Sequence, residues 1–143
     1  MSLKQFSDDR YLRIAFILGG IYDILLGVPM LFVPDYTASL LNVATPEPII
    51  WPQTIGIFLI IIGYFLLIST QDINKFIFIG FGSAVIRLGY AILVFLMWMT
   101  TQIETGYILV AITDTFTAIL LLVPMILTEE VSWKHLWQVK VAT

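Results

Sequence analysis

Four stretches of this chain are long and apolar enough to cross a membrane, and nothing else in the sequence restricts its fold as strongly. They run over about 12–33, 51–68, 76–98 and 107–127, close to the ~20 residues that cross a ~30 Å hydrocarbon core. In hydrocarbon every backbone N–H and C=O must find a partner inside the protein, so each apolar run is expected to be a helix. The rest of the composition agrees. With 59% hydrophobic and only 12% charged residues, the chain has about half the charge of a soluble domain, where roughly 25% is usual. The predicted fold is therefore all-α, an integral membrane four-helix bundle in a single membrane domain, 1–143. The first stretch is read as a span, since it is long for a signal-peptide core and has no small-residue cleavage site at its end.

Lysine and arginine orient the bundle. Lys4, Arg10 and Arg13 precede the first stretch, Lys75 lies between the second and third, and Lys134 and Lys140 follow the fourth. The other two connections, 34–50 and 100–106, hold only the acidic residues Asp35, Glu47 and Glu104. By the positive-inside rule both termini and the Lys75 turn are expected in the cytoplasm. Aromatic residues mark the same boundaries, with Tyr36, Trp51, Trp98 and Tyr107 toward the outer one and Tyr11 and Trp133 toward the inner one. In the tail, 131–143, Trp133, Leu136, Trp137 and Lys140 fall at helical spacing. Two descriptions fit it: an interfacial helix on the cytoplasmic leaflet, or an irregular tail held by its tryptophans. The outer connection is likewise either a short helix capped by Asp35 and running to Leu41, ended by Asn42 and by Pro46 and Pro48, or a plain surface loop.

The exceptions to the apolar pattern are the informative part. Asp23, Arg87 and Asp114 lie well inside three different spans. At ~1.5 Å rise per residue they fall roughly 16, 17 and 20 Å from the cytoplasmic boundary, a common depth near the bilayer centre. Each charge costs about 2.5–3.5 kcal/mol to place there, so all three are expected to point into the bundle. Small neighbours on the same helical faces agree: Gly19 and Gly27 beside Asp23, Ala84 and Ala91 beside Arg87, Ala111 and Ala118 beside Asp114. A guanidinium is planar and accepts a carboxylate on either edge, which suits an Asp–Arg–Asp bridge across three helices. Its formal charge of −1 would leave one carboxylate protonated or satisfied by an ion or ligand. Tyr22, Tyr64, Tyr90, Thr113, Thr115 and Thr117 are candidate hydroxyl donors nearby, and Gln53 is a candidate for the outer entrance. Such a layer either fixes helix register or handles a ligand or proton.

Other features weigh less. Gly56-x6-Gly63-Tyr64 and Gly82-x6-Gly89-Tyr90 form a faint internal repeat, at a spacing common in transmembrane helix contacts. Pro29 and Pro124 lie near the ends of their spans, as kinks or as terminators. Cysteine is absent and His135 is the single histidine, which excludes disulfides, thiol nucleophiles, thiolate metal sites and a bis-histidine haem within one chain. No metal site and no cofactor are expected. No basic stripe supports nucleic-acid binding.

The order Gly-Gly-Ile-Tyr-Asp23-Ile-Leu-Leu-Gly-Val-Pro, then Pro46-Glu47-Pro48 and Trp51, Gly63-Tyr64, Arg87-Leu-Gly-Tyr90 and Asp114, resembles the small four-helix bacterial membrane proteins grouped as DoxX-like or BphX-like. The resemblance covers most of the chain. It implies a four-helix bundle in a bacterial inner (plasma) membrane and transfers no catalytic residue; the association with redox complexes in the DoxX name meets a chain without cysteine or internal histidine. Three functions compete. The bundle holds a small or lipophilic ligand, or a proton, against Asp23, Arg87 and Asp114, in a homo-oligomer if it transports. Alternatively it is a non-catalytic accessory subunit of a larger membrane complex, with membrane lipid as its other partner. A lipid-modifying enzyme with an aspartate as general base is the third, and no nucleophile, metal site or paired-carboxylate motif supports it.

Overall fold

The computed structural model describes residues 3–101 and 103–127, and the described residues form five helices and no strand. They are α1 (Leu3–Phe32), α2 (Pro34–Leu40), α3 (Ile50–Ser69), α4 (Ile73–Thr100) and α5 (Thr105–Leu127). Four of them contain apolar segments of membrane-spanning length: Arg10–Phe32, Ile50–Ser69, Ile73–Thr100 and Thr105–Ile126, each with mean hydropathy of 2.0 or 2.1. The chain is thus a multi-pass membrane protein built as a helical bundle. The 131–143 tail lies outside the described residues.

Helix ends depart from the apolar limits where polar residues extend or cap them. α1 begins well before its apolar run, because hydropathy marks where a helix meets lipid and says nothing about whether Lys, Gln or Arg continue it. α4 begins at Ile73 because Asp72 caps it, its carboxylate accepting from Lys75 N at 3.2 Å. Pro29 and Pro124 both lie inside helices that continue past them; Val33 N still donates to Pro29 O at 2.8 Å.

The outer connection does contain a helix, and its cap differs from the expected one. Asp35 sits in the first turn of α2, after Pro34, while Val33 holds the N-cap position without a side-chain bond. The C-terminal end follows the sequence more closely. Asn42 has φ 54°, Asn42 N donates to Ser39 O at 3.1 Å and Val43 N donates to Ala38 O at 3.0 Å. This is the Schellman arrangement with asparagine in the left-handed position. The loop behind it is tied to the start of α5. Asn42 Nδ2 donates to Thr105 Oγ1 at 3.1 Å, and Ala44 N donates to the Glu104 carboxylate at 3.0 Å. Leu41 O lies so close to Gly106 that no side chain fits there. α2 thereby closes one end of the bundle.

Packing is uneven along the bundle. α1 packs most extensively on α3, and α4 on α5. On the first pair, Gly20 faces Gly63 and Gly27 faces Gly56, and a Cβ added at Gly63 would stand 2.6 Å from Gly20 O. This is close backbone approach through small residues. The apparent repeat does not extend to α4, since a Cβ at Gly82 or Gly89 would meet nothing within 4 Å. The side-chain core, with Leu12, Phe16, Leu66, Ala84, Leu121 and Met125 at its centre, fills the half of the bundle away from α2. Gly80 lets the Phe16 ring and Met125 approach α4 there. The half beneath α2 encloses a cavity instead.

The two glycine pairs give a direct check. Gly63→Val is expected to lower stability in detergent by about 1–3 kcal/mol, the usual cost of overpacking, and to reduce the unfolding midpoint measured by tryptophan fluorescence. Gly89→Val, the same change at an open position, is expected to leave the midpoint unchanged; equal losses would contradict the packing described.

Candidate functional site

Asp23 on α1, Arg87 on α4 and Asp114 on α5 meet in one cluster. Arg87 Nη1 donates to Asp114 Oδ1 at 2.5 Å, and Nη2 donates to Asp23 Oδ1. Arg87 Nε approaches Ser83 Oγ, one turn earlier on α4, at 3.4 Å. The Asp23 side chain is 1% exposed, Arg87 6% and Asp114 13%. The bridge expected from helix depth is therefore present, and all three charges are turned away from lipid.

Tyr22 supports the cluster from behind. The Arg87 guanidinium carbon lies 5.2 Å from its ring centroid, within cation–π range. The Tyr22 hydroxyl is 2.8 Å from Thr113 Oγ1 on α5. Ring and hydroxyl together join α1, α4 and α5 around the arginine. The next two threonines of α5 are occupied within their own helix: Thr115 donates to Ala111 O at 2.7 Å and Thr117 to Thr113 O at 2.8 Å. Sequence pattern alone did not separate these threonines, because each is three or four residues from a carbonyl it can reach.

One polar atom of the cluster is left over. Asp23 Oδ2 is the sole buried side-chain nitrogen or oxygen without a hydrogen-bond partner among the described residues. Asp23 also lines a cavity of about 370 Å³ that lies between the charged layer and α2. Its roof is formed by Pro34, Ala38 and Leu41 of the cap, and Gly106, Tyr107 and Val110 of α5 close one side. Ile55, Phe58, Leu59 and Ile62 of α3 face Ser83, Ile86, Arg87 and Tyr90 of α4 across the other. The lining is mainly apolar, and Asp23, Arg87 and Asp114 at the floor are its three charged residues.

Sequence-predicted site residues divide accordingly. Asp23, Arg87, Asp114 and Tyr90 all line the cavity, and Tyr22 lies behind the arginine. Tyr64 is not brought to the site: it is 55% exposed on the outside of α3, with its ring 6.0 Å from that of Phe65. Gln53 lies near the capped end of α3 and donates through Nε2 to Leu31 O at 3.3 Å, bracing α3 against α1 instead of lining the cavity. The cavity itself was missed, and with it the roles of its roof and its α3 wall. Both are built of Pro, Ile, Leu and Phe, which in a membrane sequence look the same whether they face lipid, core or cavity.

A shallower apolar groove of about 480 Å³ runs between α4 and α5 on the bundle exterior, lined by Ala91, Trp98, Ala111 and Phe116 among others, with no ionisable residue. Among the described residues no group of three His, Cys, Asp or Glu stands together to hold a metal ion. Comparison with known proteins finds no family model, no curated protein and no solved structure that matches the chain. Fold and site together define an integral membrane helical bundle with a buried Asp–Arg–Asp cluster.

Removing one member of a buried ion cluster leaves uncompensated charge. Arg87→Met is expected to destabilise the protein by about 3–5 kcal/mol, read as loss of monodisperse protein in detergent. Replacing all three charges by apolar residues (Asp23→Leu, Arg87→Met, Asp114→Leu) is expected to restore most of that loss. A triple variant no more stable than Arg87→Met would contradict an electrostatic cause.

Proposed function

We propose that the bundle binds a small lipophilic molecule drawn from the bilayer, holding it in the cavity against Asp23, Arg87 and Asp114. The carrying observation is the composition of the cavity mouth. Ile55, Phe58 and Ile86 line the cavity and are also 47%, 60% and 61% exposed. Residues that belong to both surfaces border an opening, and this one lies between α3 and α4, sideways to the membrane. A ligand reaching the site by that route crosses hydrocarbon, so it must be lipid-soluble over most of its surface. The apolar walls suit such a molecule, and the few polar groups at one end suit its orientation.

Buried charge in a bundle is compatible with a purely structural bridge. The cavity adds something a register-fixing bridge does not need. Helices that meet only to lock their register have no use for an apolar space beside the lock, and packing there would add dispersion contacts. Binding is the step assigned to one chain. Moving the ligand across the membrane would need a second copy, since four helices are few for a complete path.

The accompanying orientation has both termini in the cytoplasm of a bacterial cell and α2 on the outer face of the inner membrane. Its support is the confinement of Lys and Arg, apart from Arg87, to three segments of the chain, together with the resemblance to DoxX-like proteins. α2 would then roof the cavity from the aqueous side.

A photoreactive probe tests the binding. Dodecanol carrying a diazirine at its chain end, irradiated with the protein in phosphatidylcholine nanodiscs, is expected to crosslink to cavity positions such as Leu59, Ile62 and Val110, saturably and in competition with unlabelled dodecanol. Val110→Trp, which fills the cavity, is expected to reduce that labelling at least several-fold. Labelling spread evenly over exterior residues such as Phe116 and Ile119, without saturation, would refute binding in the cavity.

A further inference from the structure

We propose that the ligand is a cationic amphiphile: an apolar body carrying an ammonium head whose N–H donates to Oδ2 of Asp23. This rests on the cavity binding a lipophilic molecule at all, and it goes further by assigning the head group from what the cluster leaves unsatisfied.

Two observations meet at this atom. Oδ1 of Asp23 is taken by Arg87, whereas Oδ2 is buried without a hydrogen-bond partner in a residue that lines the cavity floor, and a turn of the carboxylate about Cβ–Cγ brings it to a ligand there. A buried acceptor without a donor costs free energy, more so on a charged group. The site therefore favours a ligand that brings a donor. Charge then selects among donors. Asp23 and Asp114 face a single guanidinium, and no other charged residue lines the cavity. With both carboxylates ionised the floor presents one formal negative charge, and no other charged residue of the lining offsets it.

Three head groups can be ranked on these terms. A carboxylate or phosphate head would meet the excess negative charge, and three of the five N–H donors of Arg87 are already directed at protein oxygens. A neutral hydroxyl supplies the missing donor and leaves the charge uncancelled. An ammonium supplies both, through a charge-assisted hydrogen bond. Tyr90, which also lines the cavity, presents an aromatic ring or hydroxyl to such a head. The apolar remainder of the ligand lies along Leu59, Ile62 and Val110 toward the roof and leaves through the mouth at Phe58 and Ile86. The inferred class is thus a single-headed lipophilic amine.

The test uses the native chain in phosphatidylcholine nanodiscs and the dodecanol diazirine probe, with three competitors of one chain length at equal mole fraction in the bilayer. Dodecylamine is expected to displace the probe best, at a concentration about tenfold below dodecanol, the difference between a charge-assisted and a neutral hydrogen bond. Dodecanoate is expected to be the weakest. Asp23→Asn is expected to abolish the preference for amine over alcohol. Asp114→Asn removes the same formal charge at the neighbouring position and keeps Asp23 Oδ2, so it is expected to retain part of the preference. Dodecanol matching dodecylamine, dodecanoate competing best, or equal losses in the two variants would overturn the assignment while probe binding itself stands. Absence of saturable probe labelling in the native chain would remove the binding site and the amine assignment together. The competitor ranking on the native chain needs no variant, so a misfolded Asp23→Asn protein still leaves the assignment open to refutation.

Discussion

A guanidinium shared between two carboxylates in the middle of an apolar bundle sets the terms for the rest of this molecule. Arg87 alone in hydrocarbon would be prohibitive, and Asp23 and Asp114 without it would repel one another. Joined, they require α1, α4 and α5 to meet at one depth, with Ser83 and Tyr22 completing the surroundings of the arginine. Register is thus fixed for three of the four spanning helices. The fourth, α3, carries no charge and is held by close glycine contacts with α1 instead.

That difference explains where the cavity forms. α3 is bound tightly to α1 through Gly56 and Gly63, and α4 is bound to α5, so the seam between α3 and α4 is the loosely packed one. Away from α2, large side chains such as Phe16, Leu66 and Met125 fill the centre. Toward α2 they do not, and the space is roofed by the cap, which Asn42 and Glu104 fasten to the start of α5. The charged layer divides a packed half from an open half. Its spare carboxylate oxygen belongs to the one residue of α1 that is both fully buried and part of the cavity floor.

Much of this is legible in the sequence because the membrane penalises the wrong choice severely. Hydropathy located the four spans, and the cost of charge in lipid was enough to turn Asp23, Arg87 and Asp114 inward and onto one another. Legibility ended where the penalty is small. A tyrosine is at home against lipid, protein or the interface, so nothing in the sequence distinguishes Tyr64, which faces outward, from Tyr90, which faces the cavity. Gln53 is similar, since an amide near a helix end finds a backbone carbonyl as readily as an entrance. The short helix of the outer connection formed without the Asp35 cap because Pro34 already suits a first helical turn. The cavity itself arises from the separation of α3 and α4, which their isoleucines and phenylalanines do not encode in any periodic pattern.

The most direct measurement on the central claim is solid-state NMR of the protein in lipid bilayers, with nitrogen-15 in arginine and carbon-13 at the aspartate carboxyls. The Nη nitrogens of Arg87, assigned by comparison with Arg87→Lys, are expected to show dipolar contact to the carboxyl carbons of both Asp23 and Asp114. Contact to one carboxylate alone, or to neither, would contradict a three-helix ion bridge and remove the floor on which the proposed site is built.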